Sequence, residues 1–593
     1  MRYELIAPRD EAMTAVEQVL FNRGIKLEDM DRFKYPSQDD IISPLQLEHM
    51  KEGAIMLIKH IQQDHPIFIQ VDSDADGYTS AAILINYLNC LFPHFVQTKI
   101  SYRIHDDKQH GIIVDSIPEG VKLVIAPDSS SNQYEEHEEL AKKGIDVLVI
   151  DHHEAEKYSD YACVINNQMC DYPTKALSGA GVVYKFCSYI DELLDMDYAD
   201  EYVDLATVGI IADVMPLKDF EIRHIILKGM QGFRNPLLKT MVAEDAFHFQ
   251  GKALTPFNIA WYIAPYINAI TRSGTQNEKQ VVFESMIDFL AYKTVPSTKR
   301  GCKGQTETRV EQAVRTCKNV KNRQTKAKDS AMDAVLKTIE DENLLQHKIL
   351  AIRLDPKYAA DKNLTGLIAN SLLDTFCRPI LILNKVLEPV EVEVDGKKII
   401  RGKVYWRGSG RGYDKANLGS LRELLEASGL VEYAQGHASA FGVSIPEENY
   451  DALVAYIDEI YKDFDCSPIY SVDLIWDNNA ALTSQAFAEI ADEEKIWGRG
   501  VEDPLIALEG IRIYGNQLRL FGVDKGKPTL NIQLDDGSSL VKFKSSEEEY
   551  EALYSKSGYV VINAVGNCTR NNWGVPQFQI VDYEIVGRNE YYF

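Results

Sequence analysis

Residues 66–80 read Pro-Ile-Phe-Ile-Gln-Val-Asp-Ser-Asp-Ala-Asp-Gly-Tyr-Thr-Ser, and this stretch decides the fold. An apolar run is followed by three alternating acids, Asp72, Asp74 and Asp76. Gly77 then allows a turn, after which a helix begins. Three carboxylates this close repel one another unless cations neutralise them, and hard oxygen donors favour Mg²⁺ or Mn²⁺. The stretch therefore predicts a strand, a turn that can bind divalent metal, and a helix.

Two other interpretations of the Asp-rich turn stay open. The pattern D-x-D-x-D-G also begins a calcium-binding EF-hand loop, but the position that requires Glu is Ile83, and the residues after Gly77 resemble a helix. A turn that uses its Asp side chains only to cap the backbone is the second alternative.

Short apolar runs continue from this first strand and alternate with amphipathic segments such as residues 80–91. The runs cover residues 66–71, 99–104, 121–126, 145–150 and 163–165. Strands that are apolar on both faces and alternate with helices are typical of a parallel sheet covered by helices. The pattern predicts the α/β class for this part of the chain.

Further candidate ligands follow later apolar runs. Asp128 ends the run at 124–127, the sequence Asp151-His152-His153 ends the run at 145–150, and Asp213 ends the run at 208–212. A lone Asp at such a place is usually a cap, and a lone His usually packs in a core. In open α/β sheets, however, ligands sit at the carboxyl ends of strands, and imidazole suits Mn²⁺ beside carboxylates. Several such sites in one domain predict a shared metal centre.

Composition limits the class of protein. The chain has 593 residues, which predicts three to five domains, and 45% hydrophobic with 26% charged residues is ordinary for a globular protein. A net charge of −26 argues against a nonspecific nucleic-acid coat, but not against one local basic channel. Nine Cys without a CxxC pair argue against a disulfide framework and a zinc ribbon. We expect a cytoplasmic protein without a secretory leader or a membrane span.

The predicted organisation has five parts. A helical segment (1–60) precedes the α/β domain (61–235), which is followed by a helical connector (236–345), a smaller mixed α/β domain (346–465) and a β-rich tail (466–593). Within the connector, residues 299–328 hold ten Lys or Arg and two acids, and we call them the basic strip. The strip is either a solvated helix face or a phosphate track. In the tail, Gly515-Asn516 between alternating residues 511–521 predicts a hairpin within a small barrel.

The ordered set of Asp72-x-Asp74-x-Asp76-Gly, Asp128, Asp151-His152-His153 and Ala212-Asp213 resembles the four motifs of DHH-superfamily phosphoesterases. Within it, the chain is most similar to the RecJ single-stranded-DNA-specific exonucleases. Segments 264–272, 408–411 and 436–442 resemble further motifs of that family, although Tyr266, Thr271 and Gln435 depart from its usual residues. The resemblance implies a parallel-sheet DHH domain, a helical linker, a mixed α/β DHH-associated domain and a C-terminal oligonucleotide-binding (OB)-like β-barrel.

The resemblance also implies residue roles. Two Mn²⁺ or Mg²⁺ ions per active site are implied, with the metal ligands Asp74, Asp76, Asp128, His152 and Asp213, of which Asp128 is the bridge. Asp72, Asp151 and His153 are the implied catalytic residues. The implied substrate-binding residues are Arg103, Asn268, Arg272, Ser409, Arg411 and His437.

The implied activity is 5′→3′ exonucleolytic hydrolysis of single-stranded DNA to 5′-mononucleotides, in DNA recombination or repair. A monomer is expected, with single-stranded DNA as substrate and a single-strand-binding protein or a helicase as candidate partners. Two alternatives remain: a DHH phosphodiesterase acting on oligoribonucleotides or cyclic dinucleotides, and a non-catalytic DNA-binding scaffold similar to RecJ. The tail argues against the first, and the intact set of carboxylates argues against the second.

Overall fold

The computed structural model describes residues 1–106, 109–354, 364–394, 397–414, 418–465, 467–477 and 483–590, and for residues 374, 391–394 and 397–401 the backbone alone. Every predicted site residue lies within these ranges. No helix among the described residues combines the length and the apolar character that crossing a bilayer requires.

The N-terminal segment is divided between two parts of the molecule. Strand β1 pairs in parallel with residues 469–472, and the helix that follows contributes Val16, Val19 and Leu20 to the core of the C-terminal tail. The third helix instead packs through Ala54 and Leu57 on the α/β domain. The segment is thus not helical throughout. Its elements are β1 (Arg2–Leu5), α1 (Ala15–Asn22), α2 (Met30–Lys34) and α3 (Met50–Gln62).

A five-stranded parallel sheet forms the centre of the α/β domain, in the order β3-β2-β4-β5-β6. All residues of β2 and β4 are buried, because helices cover both faces of the sheet. The predicted parallel sheet is confirmed. Its strands are β2 (Ile67–Val71), β3 (Ile100–Ile104), β4 (Leu123–Pro127), β5 (Asp146–Asp151) and β6 (Cys163–Asn166).

The helices around this sheet enclose a buried ion pair. The Lys185 ammonium lies 2.7 Å from the Glu221 carboxylate, and both side chains are 1% exposed. The Tyr172 hydroxyl donates to the same carboxylate. These helices are α4 (Ala75–Leu91), α5 (Pro93–Lys99), α6 (Tyr134–Lys142), α7 (Gly179–Leu194), α8 (Val203–Ala212) and α9 (Phe220–Gly229).

The connector is helical, as expected, and ends in one long helix that spans two cores. Its first half places Val310, Val314 and Val320 in the core of the α/β domain, and its second half places Val335 and Ile339 in that of the next domain. The connector elements are α10 (Pro236–Glu244), α11 (Ala246–Phe249), α12 (Pro256–Tyr262), α13 (Ala264–Ser273), α14 (Gln276–Ser285), α15 (Asp288–Ala291), β7 (Thr294–Pro296), β8 (Thr306–Thr308) and α16 (Arg309–Asp341).

The basic strip lies in the β7–β8 hairpin and the first half of α16, where acids from neighbouring elements neutralise much of its charge. Lys318 pairs with Glu244 at 2.7 Å, and Arg323 pairs with Glu278 at 2.9 Å. Arg309 and Arg315 have glutamate partners as well. The partner of Arg315 is Glu307, one of the two acids of the strip itself. The other three partners, Glu244, Glu278 and Glu284, are distant in the chain, so the local sequence does not show them.

The mixed α/β domain has a five-stranded sheet in the order β12-β13-β11-β10-β9, with β9 the parallel member and the other pairs antiparallel. The carboxyl end of β11 faces helix α17. The elements are β9 (Leu350–Leu354), α17 (Thr365–Phe376), β10 (Ile380–Val394), β11 (Lys397–Arg411), α18 (Leu421–Ala427), β12 (Tyr433–His437), β13 (Ala440–Pro446) and α19 (Tyr450–Ile460).

The tail forms a seven-stranded sheet in the order β15-β16-β20-β21-β19-β18-β17. Among the described residues its outer strands β15 and β17 do not pair with each other, so the predicted OB-like barrel is not confirmed. The elements are β14 (Ile469–Val472), β15 (Leu474–Asp477), α20 (Ser484–Ala491), β16 (Ile506–Tyr514), β17 (Leu518–Phe521), β18 (Thr529–Gln533), β19 (Ser539–Phe543), α21 (Glu547–Leu553), β20 (Gly558–Arg570) and β21 (Pro576–Glu590).

The predicted hairpin over residues 511–521 is wrong. β16 pairs with β15 and β20, whereas β17 pairs with β18. The Gly515-Asn516 segment forms a single 3₁₀ turn that carries the chain to the far edge of the sheet. Local alternation identified both strands but not their partners, because pairing is decided by contacts that are distant in sequence.

The buried ion pair predicts a stability effect that does not involve the metal centre. Lys185→Met leaves the Glu221 carboxylate buried without its cation, and we expect the free energy of unfolding to fall by about 3 kcal/mol. The double variant Lys185→Met/Glu221→Gln removes the uncompensated charge and keeps an acceptor for Tyr172, so it should recover part of the loss. Urea unfolding measures both; equal losses in the two variants would contradict this account.

Candidate metal centre

The predicted ligands converge at the carboxyl edge of the parallel sheet. Asp72 and Asp74 follow β2, Asp128 follows β4, and His152 follows β5. Asp213 reaches the same place from the end of helix α8, so its apolar run is a helix and not a strand. Val214 beside it has a φ of 59°, a strained conformation for a β-branched residue that orients the chain around Asp213.

Besides a group of Asp128, His152 and His153, the described side chains form two groups that could each hold a cation. In one group, His152 Nε2 lies 3.5 Å from Asp213 Oδ2 and 3.8 Å from Asp76 Oδ2. In the other, oxygens of Asp72, Asp74 and Asp128 lie within 4.8 Å of one another. Asp128 also lies 3.3 Å from His152 Nε2, so its carboxylate stands between the two groups.

Asp128 has the environment expected of a bridging ligand. Both of its carboxylate oxygens are buried, and neither accepts a hydrogen bond from a described residue. Burial, followed by the charges of Asp76, Asp74 and Asp72, raises the pKa of Asp128 well above its usual value. A buried, unpaired carboxylate is costly unless a cation compensates it. The residues present therefore fit divalent metal.

Asp76 is held by the beginning of helix α7. Its carboxylate accepts hydrogen bonds from Ser178 Oγ at 2.8 Å, Gly179 N at 2.7 Å and Ala180 N at 3.1 Å. Unpaired N–H groups at a helix start favour an anion. Asp74 is held by the beginning of another helix, because its side chain caps α4 by accepting a hydrogen bond from Gly77 N. The two carboxylates are thus fixed before any ligand binds.

Asp151 orients His153. The buried carboxylate accepts from His153 Nδ1 at 2.8 Å, from His152 N at 2.7 Å and from Ser131 N at 3.0 Å. Burial alone would raise the pKa of Asp151, but the hydrogen bond and charge of His153 hold it below its ordinary value. The same hydrogen bond raises the pKa of His153 to about 9, so its imidazole is a cation at neutral pH.

Two histidines of this site, His105 and His110, are not among the residues predicted from the sequence. Asp72 Oδ1 lies 3.0 Å from His105 Nδ1, and Asp72 Oδ2 lies 2.8 Å from His110 Nδ1. The ring centroid of His110 is 5.5 Å from that of His153, so both face the same cleft. The signal was present in the spacing of His105 and His110 directly after strand β3. Asp106 follows His105 directly, but the pair did not resemble the motif Asp151-His152-His153, in which the Asp precedes the histidines.

Comparison with known proteins agrees with this geometry. Residues 66–210 match the model of the DHH family, N-terminal domain. Over 595 residues the chain is 35% identical to a Bacillus subtilis protein named "Putative SPbeta prophage-derived single-strand DNA-specific exonuclease YorK", with 99% of this chain and 98% of that protein aligned.

The chain belongs to the DHH superfamily, close to RecJ.

More distant relatives of this DHH protein show the same fold. It is 25% identical to the single-stranded-DNA-specific exonuclease RecJ of Bacillus subtilis, over 98% of this chain and 70% of that protein. The crystal structure of Thermus thermophilus RecJ in complex with Mn²⁺ superposes with a TM-score of 0.68 at 21% identity, covering 98% of this chain and 78% of that one.

The predicted substrate-binding residues of the α/β domain and connector lie beside the metal centre. Asn268 Oδ1 accepts from Ala75 N, at 3.3 Å, within the Asp-rich turn. Arg103, at the end of β3, donates to Asp106 and Gln109 on the loop that carries His110. Arg272 follows Asn268 by one helical turn and lies close enough to Arg411 for the two charges to interact.

The predicted residues of the mixed α/β domain form a separate pocket at the start of helix α17. Ser409 Oγ lies 2.8 Å from Thr365 Oγ1, and a Cβ on Gly366 would lie 2.5 Å from Arg411 Nη2. His437 is exposed and shares the register partner Ala440 with Arg411. Two hydroxyls, a guanidinium and a helix start make a receptor suited to phosphate.

The close approach of Gly179 to Asp128 allows a direct test of the metal centre. A Cβ at this position would lie 2.3 Å from Asp128 Oδ1, so Gly179→Ala must displace the carboxylate between the two ligand groups. We expect Mn²⁺ affinity to fall by roughly tenfold or more, measured by isothermal titration calorimetry. Gly232→Ala is the matched control, because a Cβ there has no atom within 4 Å. Equal affinity in both variants would contradict the predicted geometry.

The loss of stability on metal removal should depend on pH. Burial, followed by repulsion from Asp76, raises the pKa of Asp74 to about 6 and that of Asp213 to about 8. Acids whose pKa is raised on folding favour the folded state below their unfolded pKa, and this contribution is lost as the pH rises to the folded value. The metal-free protein should therefore lose stability between pH 4 and 8.

The corresponding measurement is the difference in Tm between Mn²⁺-loaded and EDTA-treated protein. We expect a larger difference at pH 8 than at pH 6, and a smaller pH dependence in Asp213→Asn. A difference that does not change with pH would show that these carboxylates are not repelling one another.

Proposed function

We propose that this DHH protein is a Mn²⁺- or Mg²⁺-dependent exonuclease that degrades single-stranded DNA in the 5′→3′ direction and releases 5′-mononucleotides. The observation that carries the proposal is the Asp128 carboxylate, buried without a donor between two groups of acidic and imidazole ligands. The Mn²⁺ and Mg²⁺ complexes of Thermus thermophilus RecJ support the choice of metals.

The residues divide into two metal positions. Asp74, with Asp72 beside it, would hold one ion, Asp76, His152 and Asp213 would hold the second, and Asp128 would be shared. A pair of divalent ions, when bound, would lower the pKa of a water molecule and stabilise negative charge on the phosphate oxygens.

The surrounding side chains position the substrate for that chemistry. His153 is charged and is fixed through Nδ1 by Asp151, which leaves Nε2 to donate to an oxygen of the scissile phosphate. His110 lies next to it and is held by Asp72. Because both rings are anchored by buried carboxylates, little reorganisation is needed when the phosphodiester binds.

The pocket around Arg411 explains the polarity we propose. If Ser409 and Arg411 bind a terminal 5′ phosphate, the next phosphodiester along the strand is the one presented to the metal centre. Hydrolysis of its bond to the 3′ oxygen releases one 5′-mononucleotide and leaves a new 5′ phosphate on the strand. Arg272 and Asn268 lie between the pocket and the ligands, which suits contacts with the first nucleotide.

We extend the proposal to a cytoplasmic role in DNA recombination or repair. Seven of the described cysteines are free thiols, as expected in a reducing compartment: Cys90, Cys163, Cys170, Cys187, Cys302, Cys317 and Cys568. A single-strand-binding protein or helicase as partner, and the monomeric state, remain predictions.

One assay tests the function. Single-stranded DNA labelled at the 5′ or the 3′ end is incubated with the protein and Mn²⁺, Mg²⁺ or EDTA, in parallel with duplex DNA, short RNA and a cyclic dinucleotide. We expect label from the 5′ end to be released first, as a mononucleotide. This release should occur with Mn²⁺ or Mg²⁺ and not with EDTA. Preferential hydrolysis of RNA or the cyclic dinucleotide would support the small-substrate phosphodiesterase instead, and metal-dependent binding without hydrolysis the scaffold.

Two variants sharpen that assay. Asp76→Ala should abolish hydrolysis, and wild-type rates would contradict the metal assignment. Arg411→Gln should remove the preference for a 5′ phosphate over a 5′ hydroxyl. Arg407→Gln is the matched control, because this arginine of the same strand is paired with Glu388 and Glu432.

A further inference from the structure

Five aromatic rings of helices α11 and α12 form a continuous row, which we call the aromatic ladder. The ring centroids of Phe247 and His248 are 4.8 Å apart, and His248 stacks on Tyr262 at 3.7 Å. Tyr262 lies 6.2 Å from Phe257, which in turn lies 6.0 Å from Trp261. The last two are four residues apart and share one helix face.

The ladder is unusually open to solvent. Phe247 is 69% exposed, Trp261 65% and Phe257 48%. Beyond the ladder, Lys252 donates to Asn572 Oδ1 at 3.1 Å, next to Trp573, which is 86% exposed. Rings this exposed contribute little to the packing of the core. Contiguous exposed apolar side chains mark binding surfaces.

The second helix of the ladder directly precedes the helix that reaches the metal centre. Helix α12 leads into α13, whose Asn268 contacts the Asp-rich turn. Trp261 and Asn268 are seven residues apart in the sequence, and the junction of α12 and α13 at Ile263 lies between them. On the adjoining face of α16, Lys321 is buried enough, and close enough to Lys328 and Arg272, for its pKa to be lowered.

Charge favours a stacking contact over a purely ionic one. The chain carries a net charge of −26, and glutamates already neutralise much of the basic strip. A phosphate backbone therefore gains little long-range attraction from this protein. Planar side chains attract bases without any net charge, and any base can stack on them.

We infer that the aromatic ladder stacks the bases of single-stranded nucleic acid where the strand leaves the metal centre. The inference rests on the proposed function. The terminal nucleotide occupies the pocket and the metal centre, and bases a few nucleotides along the strand contact Trp261 and Phe257 first. Lys252 and the exposed Trp573 extend the contact toward the tail.

Binding of fluorescently labelled oligothymidylate, measured by anisotropy in EDTA to prevent hydrolysis, tests the ladder in the full chain. We expect the double variant Phe257→Ala/Trp261→Ala to weaken binding of a long strand by roughly tenfold or more. Binding of a trinucleotide, too short to reach the ladder, should be unchanged. Tyr161→Ala is the matched control, an exposed ring at the opposite edge of the sheet from the metal centre, and thermal unfolding verifies that each variant is folded.

Single substitutions of Trp261 distinguish stacking from general apolar docking. Trp261→Tyr keeps a planar ring and should retain most of the affinity, whereas Trp261→Leu keeps an apolar side chain and should lose it. If the long strand binds all ladder variants as tightly as wild type, or if Leu is as good as Tyr, the inference is wrong and the surface fits an apolar protein partner instead.

The two proposals fail separately. Ladder-dependent binding without hydrolysis would overturn the exonuclease and keep the ladder. Hydrolysis from the 5′ end with ladder-independent binding would keep the exonuclease and overturn the ladder. Absence of single-stranded DNA binding by the wild type would overturn both.

Discussion

Mutual repulsion among buried carboxylates is the constraint on which this structure depends. Asp74, Asp76, Asp128 and Asp213 meet at one edge of a sheet, and Asp128 has no described donor to offset its charge. Such a cluster is costly without cations. The surrounding structure offsets part of the cost by placing the beginning of helix α7 against Asp76 and two histidines against Asp72.

Close packing makes this arrangement rigid. A Cβ on Gly179 would lie 2.3 Å from Asp128 Oδ1, and a Cβ on Gly209 would lie 2.4 Å from Asp76 Oδ1. A Cβ on Gly77 would lie 2.7 Å from the Cβ of Asp72. The carboxylates thus have little room to move apart and relieve their repulsion. A rigid, pre-formed set of oxygens can bind cations without reorganisation.

The remaining domains hold the proposed substrate-binding residues near this centre. Helix α16 belongs to two hydrophobic cores at once, so it fixes the Arg411 pocket relative to the ligands. The N-terminal strand β1 and helix α1 belong to the core of the tail, although α3 belongs to the α/β domain. The N-terminal segment therefore links the tail to the α/β domain. These two parts cannot separate without breaking the contacts of β1, α1 or α3.

The sequence by itself determined the parallel sheet and most of the metal centre. Strands that are buried on both faces are mainly apolar, and residues 66–71, 121–126 and 145–150 each contain a single polar side chain. Ligands at strand ends follow from the same pattern, because the carboxyl ends of parallel strands meet at one edge. The metal roles of these side chains, like the domain boundaries, remain proposals.

Tertiary structure alone decided everything that depends on distant partners. The sequence could not show that Glu244 and Glu278 neutralise the basic strip, that β17 leaves β16 for β18, or that His105 and His110 hold Asp72. It also could not show that the rings of α11 and α12 form one exposed row. Periodicity reports the environment of each residue along its own element, whereas ion pairs, strand partners and side-chain rows are set by packing between elements that are far apart in the chain.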